Sequence, residues 1–147
     1  MKLFSISDVL SVTTGRLVSD RHMDGMYAIL NFLTGDDLFT HQLRRAMNEV
    51  KPWLRSQFPT LMEDSPGMAE RLADMNHRIK AVQQDREHIG AVIRDWVEEL
   101  RIALALPEML PVYEMGADMH TYIDPIEEAR AMVGDERVLV VSPDDAG

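Results

Sequence analysis

The sequence predicts an α+β domain that is mostly helical and carries a small sheet of about three strands. Three observations predict it. Residues 66–106 repeat apolar side chains at alternating steps of four and three, and two earlier stretches show helical spacing closed by glycine or proline. Short strand-like runs, "MKLFSI", "PVYEM" and "RVLVVS", stand at both ends. The 147 residues suit one domain, 1–147, and an apolar fraction of 46% is enough to build its core.

The elements follow in order. "MKLFSI" reads as a strand with Leu3, and Phe4 or Ile6 with it, turned inward. Ser5 or Ser7 can cap a helix over 8–14 that Gly15 stops. Ser19 or Asp20 caps a second helix, whose buried face is Met23, Met26, Tyr27, Leu30 and Phe32 or Leu33, and Gly35 ends it. Asp36 or Thr40 caps a third, with Leu43, Met47, Val50, Leu54 and Phe58 as its apolar stripe. Pro52 falls inside that stripe and should kink the helix or end it near Val50. Ser65 and Pro66 mark the start of the long segment. Asp124-Pro125 opens a last helix to about Met132 or Val133, with Gly134 beyond it, and "RVLVVS" has the β-branched composition of a central strand.

Segment 66–106 sets a geometric problem. As one helix it would be about 60 Å long, whereas a compact domain of this size is about 40 Å across. Either it folds back as a hairpin near "QQDRE", or its projecting part packs on another chain. Nothing in "QQDRE" is glycine or proline, so the unbroken heptad favours a homodimer, with Met68, Leu72, Met75, Ile79 and Val82 as the seam.

Charge and composition remove several function classes. Fifteen basic against twenty-five acidic side chains give a net charge of −10, which disfavours general nucleic-acid binding. The absence of cysteine excludes disulfides and thiolate metal sites and suits a reducing cytoplasm. No apolar run reaches the ~18 residues of a membrane span, and the start is not a secretory signal, so a soluble cytoplasmic protein is expected. No Walker sequence, GxGxxG or HExxH spacing occurs, and no cofactor or metal is expected.

Two blocks carry a resemblance. "FSISDVLSVTTGRLVSDRHMDGMYAILNFLTGDDLFTHQLRRA" and "HTYIDPIEEARAMVGDERVLVV" contain TGRL, GDxxxTHQ and HxxxDPxxE. They resemble the N-terminal and terminal blocks of small uncharacterised proteins encoded by bacteriophages and prophages. Where that family commonly has proline after THQL, this chain has Arg44. The resemblance implies a phage setting. It therefore implies, by analogy with anti-CRISPR and other anti-defence proteins, a partner that is a host protein or ribonucleoprotein complex.

Most of the chemistry sits in "LTGDDLFTHQLRRAMNEVKPW". The candidate partner-binding residues are Asp36, Asp37, His41, Arg44 and Arg45 at the entrance of the third helix, with Glu98 and Glu99 as a lesser acidic surface. A small hydrolase or transferase using Asp37 and His41 as an acid–base couple is the alternative, although no recognisable nucleophile accompanies them. A purely structural dimer is the third. The scattered histidines His22, His41, His77, His88 and His120 lack the spacing of a metal site.

Overall fold

The computed structural model describes residues 1–133. It is mostly helical: β1 (Lys2–Ser5), α1 (Ile6–Thr13), α2 (Met23–Thr34), α3 (Leu43–Gln57), α4 (Met68–Ala81), α5 (Arg86–Ala103), β2 (Met109–Val112) and α6 (Pro125–Val133). Short 3₁₀ turns at Thr40–Gln42, Pro59–Leu61 and Ala117–Met119 join them.

The sheet among the described residues has two antiparallel strands, β1 and β2, with Phe4 opposite Leu110. Phe4 and Leu110 face the core and Leu3 faces out, reversing the inward placement expected of Leu3. A two-residue period allows only one of Leu3 and Phe4 inside, and Phe4 wins by packing on Phe32, ring centroids 5.4 Å apart. The strand expected at 111–115 is Met109–Val112, so it starts two residues earlier and ends three earlier. The one expected in "RVLVVS" lies outside the described residues.

Helix α1 is the centre. All eight of its residues are buried, and α2, α3, α5 and both strands pack around it. Ser5 caps it by accepting from the Asp8 amide. A helix buried all round must satisfy its polar groups internally. Ser11 Oγ donates to Ser7 O and accepts from the amides of Val18 and Ser19, at 3.0 and 2.9 Å. The Asp8 carboxylate, 1% exposed, takes the Ser19 hydroxyl at 2.5 Å and the Arg21 guanidinium. Gly25 of α2 lies directly against that pair, so the first turn of α2 approaches α1 only because it has no side chain there.

Several helix ends differ from expectation. Helix α2 begins at Met23 rather than after Ser19, because Ser19 is occupied by Asp8 and the chain first turns through His22. Helix α3 runs through Pro52 to Gln57. Val50 and Leu54, both fully buried, anchor it on either side of the proline. Helix α4 starts at Met68 after Gly67, while the Ser65 hydroxyl bonds the Pro59 carbonyl. Gly35 does close α2 in the left-handed conformation, φ 70°. Asp124 does cap α6, accepting from the amides of Ile126 and Glu127.

Of the two arrangements open to 66–106, one long helix or a hairpin, the chain has the hairpin, against the single helix that the unbroken heptad favoured. Helix α4 stops at Ala81, and Asp85 starts α5 by accepting from Glu87 N and His88 N. Each helix turns its own apolar face inward. Met68, Leu72 and Met75 are 2%, 5% and 2% exposed, Ile79 packs against the same core, and Val82 lies in the turn. Across the hairpin, Trp96 Nε1 donates to Arg71 O at 2.8 Å. Met68, Leu72 and Met75, assigned to a dimer seam, thus belong to one chain's interior, with Ile79 half-buried beside them and Val82 half-buried in the turn. Among the described residues no helix is long and apolar enough to cross a membrane.

Candidate functional site: a polar clasp on the third helix

From Tyr113 to Glu128 the chain crosses α3 as a strap. The two motif blocks meet there. His120 sits between Asp36 and Glu49, its side chain 8% exposed; Nε2 is 2.9 Å from Asp36 Oδ2 and Nδ1 bonds Glu49 Oε1. Arg45 Nε donates to Glu128 Oε1 at 2.7 Å, and Arg45 Nη1 lies 3.7 Å from Glu49 Oε2. Gln42 Nε2 donates to Ile123 O at 3.0 Å and His41 Nε2 to Pro125 O at 2.7 Å. GDxxxTHQ supplies Asp36, His41 and Gln42; HxxxDPxxE supplies His120, Pro125 and Glu128.

Local structure explains each placement. Gly35 turns the chain out of α2, so Asp36 faces the strap instead of capping α3. The entrance to α3 is closed by Gln42, 1% exposed, whose Oε1 accepts from the Phe39 amide while its Nε2 holds the strap. Arg45 and Glu49 follow at steps of three and four on one face of the helix.

Three carboxylates, Asp36, Glu49 and Glu128, thus face Arg45 and His120. Burial alone would favour neutral imidazole, but donation to Glu49 and Asp36 outweighs it and holds the His120 pKa above its ordinary value. With both ring nitrogens engaged by carboxylates, His120 has no lone pair for a metal. Among the described residues no group of three histidine, aspartate or glutamate side chains could hold one.

This raised pKa gives a pH prediction. A histidine with a raised folded pKa contributes its full stabilisation below the unfolded value of about 6.5 and loses it as pH rises through the folded value. The strap should therefore be tightest near pH 6 and loosen above neutrality. Exchange of the amides at 120–124, corrected for intrinsic rate, should quicken between pH 6 and 9, and His120→Gln should flatten the dependence. A wild-type profile as flat as the variant's would contradict a charged His120.

The candidate residues divide accordingly. Asp36, His41 and Arg45 are brought together, but as parts of an internal clasp. Asp37 and Arg44 remain exposed, and neither side chain makes a hydrogen bond among the described residues. The proposed couple of Asp37 and His41 is not hydrogen-bonded, since His41 Nε2 is on Pro125. Glu98 and Glu99 diverge. Glu98 pairs with Arg101 and lines an open cleft of about 530 Å³ between β1, α1 and α5, while Glu99 crosses to Arg78 of α4 at 2.7 Å.

Sequence reasoning missed Glu49, Gln42, Glu128 and the role of His120. The signal for the last two was the HxxxDPxxE block itself, matched by GDxxxTHQ. Phe39 was missed as well. It is 49% exposed beside His41, ring centroids 6.2 Å apart, and an aromatic outside every apolar stripe was its signal.

Comparison with known families places one match on this geometry. Residues 4–64 match the model of a domain of unknown function, DUF7736, which covers β1 to the turn before α4 and stops short of the strap. No curated protein and no solved structure matches the chain.

Proposed function

We propose that the chain is a non-enzymatic interaction protein of the type phages encode, binding a host protein or ribonucleoprotein complex and inhibiting or modulating it by steric or electrostatic occlusion. One observation carries the reading. The chemistry-bearing residues of both motif blocks are committed to each other or to main chain, while the entrance of α3 leaves Phe39 exposed within a few residues of Asp37 and Arg44. An exposed aromatic with charges around it is the usual composition of an interface anchor. The net charge of −10 suits a basic target surface, including one that ordinarily holds nucleic acid.

The test is capture from host lysate with immobilised protein, followed by affinity measurement on the captured partner. Phe39→Ala combined with Arg44→Glu should weaken binding about thirtyfold or more, equivalent to at least about 2 kcal/mol. His41→Gln should cost less than tenfold, because glutamine can still donate to Pro125 O. An unchanged affinity in the double variant would move the interface away from this entrance.

A further inference from the structure

The hold of α3 on the strap is directed at backbone. Down one face, at steps of three and four, stand Gln57, Trp53, Glu49, Arg45 and Gln42. Trp53 Nε1 and Gln57 Nε2 donate to Tyr113 O at 2.7 and 3.4 Å, and Gln57 Oε1 accepts from Tyr113 N at 2.9 Å. Glu49 Oε2 accepts from Thr121 N, and Arg45 Nη1 donates to Thr121 O, both at 3.3 Å. Gln42 and His41 then take the carbonyls of Ile123 and Pro125. The helix is descended as the strap is ascended, so the two run antiparallel.

Such a ladder takes main chain at Tyr113, Thr121, Ile123 and Pro125, on either side of the 3₁₀ turn at Ala117–Met119. Side chains are read at two places: the slot between Asp36 and Glu49, which takes a cationic or protonated ring, and Arg45, which takes the Glu128 carboxylate. The strap itself is poorly anchored by apolar burial. Met115 is 7% exposed, but Met119 and Tyr122 are 45% and 65% exposed. Arg45 Nη2 is buried without a hydrogen-bond partner among the described residues, so one donor of the helix face is left unmet by this occupant. A segment held mainly by hydrogen bonds that water can replace opens at lower free energy than the core.

We propose that this face of α3 is a docking groove for a peptide segment of a partner, one bearing a histidine or another cation for the Asp36–Glu49 slot. Residues 113–128 are its occupant in cis, and partner binding displaces them. This rests on the reading of the chain as an interaction protein and adds to the exposed Phe39 entrance a second surface, with the kind of segment it takes.

The test supplies a fluorescent peptide with the sequence of residues 113–128 to the full-length protein and to full-length His120→Ala, whose own strap is weakened. The variant should bind the peptide at least tenfold more tightly than wild type. A peptide with alanine in place of its histidine should bind the variant at least tenfold more weakly than the native peptide does. Amide exchange in α1–α3 checks the fold, and Thr121→Pro, which removes the N–H accepted by Glu49, serves if His120→Ala does not fold. The groove is overturned if a variant with freely exchanging 114–124 amides binds no peptide. It is equally overturned if both peptides bind alike, or if those amides stay as protected as the α1 amides in both variants. Capture of a host partner without peptide binding would remove the groove and leave the interaction reading. Peptide binding without any host partner would do the reverse.

Discussion

Gly25→Ala should lower the stability of the fold by about 3 kcal/mol. A Cβ at that position would overlap Ser19 Oγ and Asp8 Oδ1 and lie 3.0 Å from Ser19 Cβ. Overpacking of a well-packed site costs about 1–3 kcal/mol. Separating Asp8 from Ser19 to make room would add a strained or broken hydrogen bond to a carboxylate that is 1% exposed. For a chain of this length 1 kcal/mol corresponds to about 3 °C, so the midpoint of thermal unfolding should fall by about 9 °C. A shift under 2 °C would mean that α2 slides off α1 at little expense and that the Asp8–Ser19 pair does not set their separation.

Leu72→Asp should be more damaging still, and its form separates two accounts of the hairpin. On a dimer seam the substitution would yield a folded monomer. In the observed core it removes a side chain 5% exposed, itself worth about 2–5 kcal/mol, and buries a carboxylate with no partner. The result should be loss of cooperative unfolding, or a midpoint at least 12 °C lower, read by circular dichroism. Ile79→Asp, at the partly buried end of the same row, should lose less than half as much. A Leu72→Asp protein as stable as wild type but of half its mass by light scattering would restore the seam.

Why the hairpin hid in the sequence follows from its geometry. Two antiparallel helices that each turn one face to the same core keep the 4-3 alternation going across a short turn, and the 82–85 turn holds neither glycine nor proline. Asp85 followed by Glu87 and His88 was the available sign, a capping residue in mid-pattern. The length argument, by contrast, pointed correctly to a break as one of two ways out. Gly35, Ser5 and the Asp124-Pro125 pair were legible because caps act through the residues beside them. Leu3 was misread because a four-residue strand gives period two almost no room to declare its face.

The clasp was half legible. Asp36, His41 and Arg45 drew attention as polar residues packed into a short span, and the structure does gather them. Their purpose was not legible, since contacts from side chain to distant backbone leave no periodic trace at the receiving end. Nothing about Thr121 or Ile123 as residue types marks them as the partners of Arg45 and Gln42.

A time-resolved dose–response of the captured target's activity tests the proposed mode of action most directly. If the protein acts by occupation, inhibition should be complete near one equivalent, constant in time, and nearly unchanged by His41→Gln. Progressive loss of activity at a small fraction of an equivalent, abolished by His41→Gln, would contradict occupation and make the protein an enzyme.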